Sequence, residues 1–239
     1  MTSPWTPLSL MPGMTIAVGR GASRLMQSAI AWEDAVRIIG SEFAGESLFD
    51  RVASPSEFDA LVALADLTNP TVRAAQGHVD LVPLIDRIYG PGTGLIMSAF
   101  SWPGRGSRFS DGSFGVFYAA RTDRTAIAET VHHQVQFLAG IPPVVVDKTV
   151  LLVNVNAPLV DVRRAQPAPP SLYHPNDYRA SRQFGASVRG HQAFGLVYDS
   201  VRDRPTGECV GIFRPPALAP VRVHRTLEYH WDGAQVTVR

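Results

Sequence analysis

Three side chains with chemistry of their own lie within one short stretch, "SRFSDGSFGVFYAARTDRTAIAET": Arg108, then Tyr118 ten residues on, then Glu129 eleven further. A guanidinium grips phosphate through a planar fork of donors. A carboxylate facing a carbon that gains positive charge lowers the barrier to breaking a bond there. A tyrosine supplies an aromatic face and a hydroxyl. Each residue also has a plainer reading. Helical spacing puts Ile127, Val131, Val135 and Leu138 on an apolar stripe, with Glu129 off it beside Thr125, His132, His133 and Gln136. Periodicity alone makes that second face solvated. Tyr118, inside an apolar run, reads as a core tyrosine. Arg108, near Arg105, Arg121 and Arg124, reads as part of a mildly basic surface.

Other chemistries find less support. Glu129 and His132 have the Glu-x-x-His spacing of di-metal carboxylate bundles, but no second copy follows. His132, His133, His174, His191, His224 and His230 lack a zinc spacing, so no metal is expected. The glycine clusters "GRGASR", "GPGTGL" and "GRGSRF" carry no P-loop ending and read as turns. Ser181, Ser187 and Ser200 lack the context of a nucleophile elbow. Ser200, at a strand end in "VYDSVRD", can simply satisfy backbone groups.

The 239 residues, 45% hydrophobic and 18% charged, suffice for a sizeable core in one large domain. A formal net charge of +1 implies no charge-driven affinity for nucleic acid or membrane. Lys148 is the only lysine, a bias that GC-rich codons would produce. Cys209 is the only cysteine, which excludes an intramolecular disulfide and a thiolate metal cluster. The N-terminal stretch lacks the pattern of a secretory signal, and no apolar run is long enough to span a bilayer. A soluble, cytoplasmic protein is the expectation.

The elements that would position these residues follow from periodicity. "SRLMQSAIAWEDAVRIIG" has helical spacing, with Leu25, Ala29, Trp32, Val36 and Ile39 on one face. "SPSEFDALVALADLTNP" predicts a helix capped by Ser54, with Phe58, Leu61, Val62 and Ala65 inward. "DLVPLIDRIYG" predicts a short helix, and "LIMSAF" and "GVFYAA" predict strands. "TDRTAIAETVHHQVQFLAG" is a helix capped by Thr122 or Asp123, and "VVDKTVLLVNV" is β-rich. "APLVDVRRAQPAPPSLYHPND" is a proline-rich connection. "NDYRASRQFGASVRGHQ" is a helix capped by Asn176 or Asp177. "FGLVYDS", "ECVGIFRP" and "PVRVHRTLEYHW" are strands, the last turning through Asp232-Gly233 into "AQVTVR". Strands and helices mix without strict βαβ alternation. That predicts an α+β fold, with a mixed or antiparallel sheet core and flanking helices. Residues 1–50 read as an N-terminal extension of unclear role, and 51–239 as one compact unit with a helical lead-in.

Taken together, "RFSDG", "VFYAA", "TAIAE" and "VYDSVRD", with "GECVGIFRP" after them, resemble the signature of the RES-domain family. These are toxins of bacterial Xre–RES toxin–antitoxin pairs. The resemblance spans about residues 80 to 220, and the lead-in extends it to about 50. Phe109-Ser110 departs from the Trp-Asn of many members, which bears on the loop's shape rather than on Arg108. The resemblance implies an ADP-ribosyltransferase-like fold that consumes NAD+ without a metal. It implies transfer of ADP-ribose to a protein or, alternatively, destruction of NAD+ by hydrolysis or phosphorolysis. Glu129 would be the catalytic carboxylate and Arg108 the pyrophosphate clamp. Tyr118 would stack on nicotinamide or bond its ribose, Ser200 would bond a ribose or amide group, and Arg202 would be a further phosphate ligand. It also implies an Xre-like helix-turn-helix antitoxin that blocks the cleft, with operator DNA bound through that partner and not by this chain. The competing reading is a non-catalytic binding module in which Arg108 and Glu129 merely form an ion pair.

Overall fold

A computed structural model of the protein describes residues 15–18, 23–45, 47–52, 54–58, 60, 77–104, 106–163 and 170–239. In chain order its strands are β1 (Thr15–Val18), β2 (Ser23–Gly40), β3 (Phe117–Ala120), β4 (Val144–Asp161), β5 (Gly195–Asp199), β6 (Glu208–Ile212), β7 (Arg222–Trp231) and β8 (Val236–Val238). Helices whose full extent lies within the described residues are α1 (Gly94–Ser101), α2 (Asp123–Leu138) and α3 (Arg179–Gly190). The strands order as β1-β2-β3-β6-β5-β4-β7-β8, and β2 also pairs with β4. All pairings are antiparallel except β4 with β5. The fold is therefore α+β with a mixed sheet, as the sequence pattern predicts.

Side chains alternate across the sheet and feed two cores. On β3, Phe117 and Ala119 enter one core and Tyr118 and Ala120 the other. The first core also takes Ile96, Met97 and Phe100 of α1 and Val153, Val155 and Leu159 of β4. The second packs β3, β5 and β6 against Ala126 of α2 and Val188 of α3.

The long strand β2 corrects the helix expected over the same residues. Its register runs from Gln27 opposite Val160 to Gly40 opposite Lys148, and it shifts between Trp32 and Ala35. At that bulge Asp34 adopts φ 53°, and its N–H donates to Asn154 Oδ1 at 3.0 Å. The extra residue breaks the two-residue alternation, so Ile30, Trp32, Ala35 and Val36 become the buried positions. That uneven spacing imitates a helical stripe. β2 thus places part of residues 1–50 within the sheet itself.

Further corrections follow the same logic. "LIMSAF" lies in α1 instead of a strand, burying Ile96, Met97 and Phe100 at one- and three-residue steps. Short apolar runs do not distinguish the two states by periodicity. Asp50 Oδ1 accepts from the N–H groups of Gly92 and Gly94, both at 2.9 Å, and so satisfies donors at the start of α1. The helix expected in "DLVPLIDRIYG" is two 3-10 turns, Val79–Leu81 and Leu84–Asp86, with Pro83 between them. In the "SPSEFDALVALADLTNP" segment residues 55–58 are helical, and Ser54 Oγ accepts from Glu57 N at 3.3 Å. Leu61, Val62 and Ala65 lie outside the described residues. The expected proline-rich connection starts late, because β4 continues to Asp161. No side chain caps α3 from its N-cap, Tyr178, although Asp177 Oδ1 accepts from Arg179 N at 3.0 Å.

Candidate active site

Two elements carry Tyr118 and Glu129 to the same place. β3 turns its alternate side chain, Tyr118, toward α2. Thr122 then caps α2 by accepting from Thr125 N at 3.3 Å, one turn ahead of Glu129. The buried side of α2 is Thr125, Ala126, Gln134 and Leu138, with Ile127 and Val131 partly packed on the second core. Val135 is not among its buried residues, which narrows the expected apolar stripe. The polar face is not simply solvated. Ala126, Glu129, Thr130, His133 and Gln136 line one side of a cleft of about 410 Å³.

Arg108, Tyr118 and Glu129 all line that cleft. The loop carrying Arg108 is clasped by the tyrosine. Tyr118 Oη accepts from Phe109 N at 3.0 Å and shares a proton with Ser107 Oγ at 2.8 Å, so it holds both neighbours of Arg108. Burial pushes the Tyr118 phenol up to about 12, which keeps it protonated at neutral pH. α3 closes on the other side of this loop: a Cβ on Gly185 would sit 2.1 Å from the Phe109 carbonyl oxygen, so only glycine admits the approach. Arg108 is buried, and its Nη1 donates to the carbonyls of Leu172 and His174 at 3.2 and 3.1 Å. Its guanidinium lies 4.5 Å from the centroid of the Tyr178 ring. Among the described residues no carboxylate pairs with Arg108, Glu129 included. The ion pair of the binding-module reading is therefore absent from them.

Glu129 is held differently. Ser200 Oγ donates to its Oε1 at 2.6 Å. The same hydroxyl oxygen accepts the N–H groups of Arg202 and Asp203, each at 3.0 Å. With its proton and lone pairs engaged, and the residue 1% exposed, Ser200 positions the carboxylate. It is not among the cleft's lining residues. Arg202 is also set back: its Nη2 donates to the Pro175 carbonyl and lies 3.5 Å from Tyr178 Oη. The geometry thus unites three of the expected residues around a space and puts the other two behind them.

The cleft also contains residues that sequence patterns did not single out. Arg37 of β2 lines it, with Nη1 donating to the Tyr118 carbonyl at 2.9 Å and the guanidinium 4.4 Å from the Phe117 ring centroid. Its Nε is buried without an acceptor among the described residues. Burial lowers its pKa to about 10, so it stays charged at neutral pH. The misread helical pattern of β2 hid it. Tyr178, stacked on Arg108, lay in a segment read only as a helix start. Cys209 reaches the cleft, but burial pushes its thiol well up, against a thiolate role. Partial desolvation is the main cause holding His132 and His133 below the ordinary histidine range. Nearby Arg202 acts in the same direction on both, while Glu129 opposes it. Among the described residues no group of three or more His, Cys, Asp or Glu is placed to hold a metal, and no helix is long and apolar enough to cross a membrane.

Comparison with known proteins places this geometry in context. The family model described as the RES domain matches residues 84–232, more than half of the chain, and these include Arg108, Tyr118, Glu129, Ser200 and Arg202. The uncharacterized protein y4oC of Sinorhizobium fredii (strain NBRC 101917 / NGR234) is 26% identical over 212 residues, covering 84% of each chain. A chain of the M. tuberculosis MbcT–MbcA toxin–antitoxin complex is similar at TM-score 0.44 and 10% identity, over 84% of this chain and 86% of that one.

Proposed function

We propose that this chain, which belongs to the RES-domain family, is the toxin of a toxin–antitoxin pair that cleaves NAD+ at the nicotinamide–ribose bond and transfers ADP-ribose to a cellular protein. The observation that carries this reading is the convergence of Arg108, Tyr118 and Glu129 on one cleft, with Glu129 locked from behind by Ser200.

The chemistry assigns each group a task. When the C1′–N bond breaks, nicotinamide leaves with the bonding electrons and the ribose gains oxocarbenium character. Ser200 occupies Oε1 of Glu129, which leaves Oε2 for the sugar. A carboxylate fixed before the reaction stabilises the developing cation without reorganising at the moment of cleavage. Arg108 has no carboxylate of its own among the described residues, so its fork suits the pyrophosphate. The Tyr118 ring walls the cleft while its hydroxyl stabilises the Arg108 loop. The acceptor's lone pair then forms the new bond at C1′, and its proton passes to a base.

One observation favours a small acceptor as a second reading. His133 lines the cleft one helical turn from Glu129, and its lowered pKa keeps it neutral at pH 7, able to take a proton from water. That would make the enzyme an NAD+ glycohydrolase, or a phosphorylase with phosphate in place of water. An activity of either kind harms its own cell, so a blocking partner, an Xre-like antitoxin, belongs to the proposal. A cytoplasmic site of action belongs to the proposal as well.

The test is release of nicotinamide from NAD+ by purified wild-type and Glu129→Gln protein, with circular dichroism to check the fold. Undiminished turnover in the folded variant removes Glu129 from the mechanism. Labelled NAD+ incubated with cell lysate separates the two readings: a labelled protein band supports transfer, and free ADP-ribose or its phosphate alone supports degradation.

A further inference from the structure

A second cavity, of about 750 Å³, adjoins the cleft and shares Arg37, Ser107 and Tyr118 with it. It is formed largely by the turn after β2, by α1 and by the segments flanking the Arg108 loop. Two of its lining side chains are aromatic rings exposed by the fold, Phe43 at 69% and Trp102 at 54%. Among the described residues neither ring stacks on another aromatic. Trp102 is braced from behind: a Cβ on Gly77 would lie 2.7 Å from its Cε2. A braced, solvent-facing indole is an unused stacking platform.

The charges in this cavity are sorted. Its helix N-terminus, that of α1, already donates to Asp50 and offers no vacant anion site. Among its described lining residues the one cation is Arg37, on the wall common to both cavities, with its Nε unmatched. The one carboxylate among them is Glu42, in the turn that follows β2. Glu129 and Arg108 thus line the first cavity alone, Arg37 lines both, and the two aromatic rings and Glu42 line the second alone. A nucleoside diphosphate with a second nucleoside attached has a matching order: sugar, two phosphates, sugar and base.

Building on the NAD+ reading of the cleft, we infer that the second cavity is the adenosine subsite of the dinucleotide. The purine stacks on Trp102 and Phe43, the ribose diol faces Glu42, and Arg37 joins Arg108 on the pyrophosphate. Acidic side chains recognise ribose hydroxyls in other dinucleotide sites by the same hydrogen-bond logic. The cleft alone, at about 410 Å³, is near the lower end of small-molecule sites and suits one nucleoside half. The adjoining space accommodates the other.

Calorimetric titration with AMP, which lacks the nicotinamide half, tests the subsite. The full chain is used as wild type, Trp102→Ala, Phe43→Ala and Glu129→Gln. Both aromatic positions are exposed, so the folds should survive. AMP should bind wild type and Glu129→Gln alike, and should bind Trp102→Ala about tenfold to a hundredfold more weakly, the loss expected for one base–aromatic stack. Phe43→Ala should weaken it less. Nicotinamide mononucleotide should bind Trp102→Ala as it binds wild type. The KM for NAD+ should rise in Trp102→Ala. No AMP binding by wild type, or binding indifferent to both aromatic substitutions, would overturn the subsite even if NAD+ is consumed. AMP binding lost with Trp102 in a protein that consumes no NAD+ would instead support the subsite and defeat the cleavage reading.

Discussion

Arg214 and Arg163 lie in one kind of environment, and Arg108 and Arg37 in another. Arg214 meets Asp86 through both Nε and Nη2 at 2.8 to 3.1 Å, and Asp86 is 3% exposed. Arg163 bridges Asp161 at 2.6 Å and Glu208 at 2.9 Å. Around the cleft, Arg108 bonds backbone carbonyls, Arg37 has an idle buried Nε, and neither has a carboxylate partner among the described residues. A cation taken out of water is costly unless paired. The first two arginines complete their pairing within the fold. The second two are held in place by neutral groups and aromatic rings, which leaves their charge for a ligand. The contrast separates arginines paired inside the fold from arginines that the proposed function assigns to a ligand.

Perturbing the two environments should therefore change different observables. The largest effect is expected at the cleft's own anion. Glu129→Gln should lower kcat for nicotinamide release by about a hundredfold to a thousandfold, with little change in the thermal midpoint. Asp86→Ala should do the reverse. It strands Arg214 and should destabilise the fold by about 2–4 kcal/mol in denaturant unfolding, leaving the KM of the surviving folded protein near wild type. If Asp86→Ala alters KM as strongly as stability, the division of labour between the two sets of arginines is wrong.

Arg108→Lys should sharpen the comparison further. It retains the charge but loses the fork and the stack on Tyr178. An increase of about tenfold in KM for NAD+ is expected, measured by initial rates, with a smaller fall in kcat. Ser200→Ala removes the donor to Glu129 and leaves two backbone N–H groups without their acceptor. It should cost about 1–3 kcal/mol in stability and lower kcat about tenfold with KM nearly unchanged. A change confined to stability would reduce Ser200 to a structural role.

The smallest effect concerns pH. Desolvation depresses the histidine pKa of His132 and His133, so the folded state binds fewer protons than the unfolded state once pH falls below about 6.5. Their contribution to stability is present above that pH and is lost as pH drops through the depressed values. The melting temperature should thus decline between neutral and mildly acidic buffer, and His133→Gln should flatten the decline.

Much of the frame is legible in the sequence. The apolar run that forms the strand Phe117–Ala120, the cap and length of α2, and the hairpin through Asp232-Gly233 are local properties. The misreadings are local patterns that two structures share. Gly94–Ser101 is too short for period to arbitrate, and the bulge at Asp34 turns a strand's alternation into a helix-like stripe. Arg37 was hidden for that reason, since its neighbours across the sheet, Leu151 and Tyr118, lie more than eighty residues away. The family resemblance puts Ser200 among the site residues, but its task is not legible in the sequence. A hydroxyl that touches a ligand and one that fixes a carboxylate look alike in a sequence.

The order and spacing of Arg108, Tyr118 and Glu129, the α+β class and the family resemblance are properties of the chain as written, because each depends on residue type and short-range periodicity. The convergence of those three on one cleft belongs to the tertiary structure. So do the use of Tyr118 to clasp the Arg108 loop, the retreat of Ser200 and Arg202 behind the site, and the arrival of Arg37. These follow from strand register and helix packing between segments that in β2 and β4 lie more than a hundred residues apart. In this molecule long-range pairing decides which arginines meet a carboxylate inside the fold and which meet neutral groups alone among the described residues.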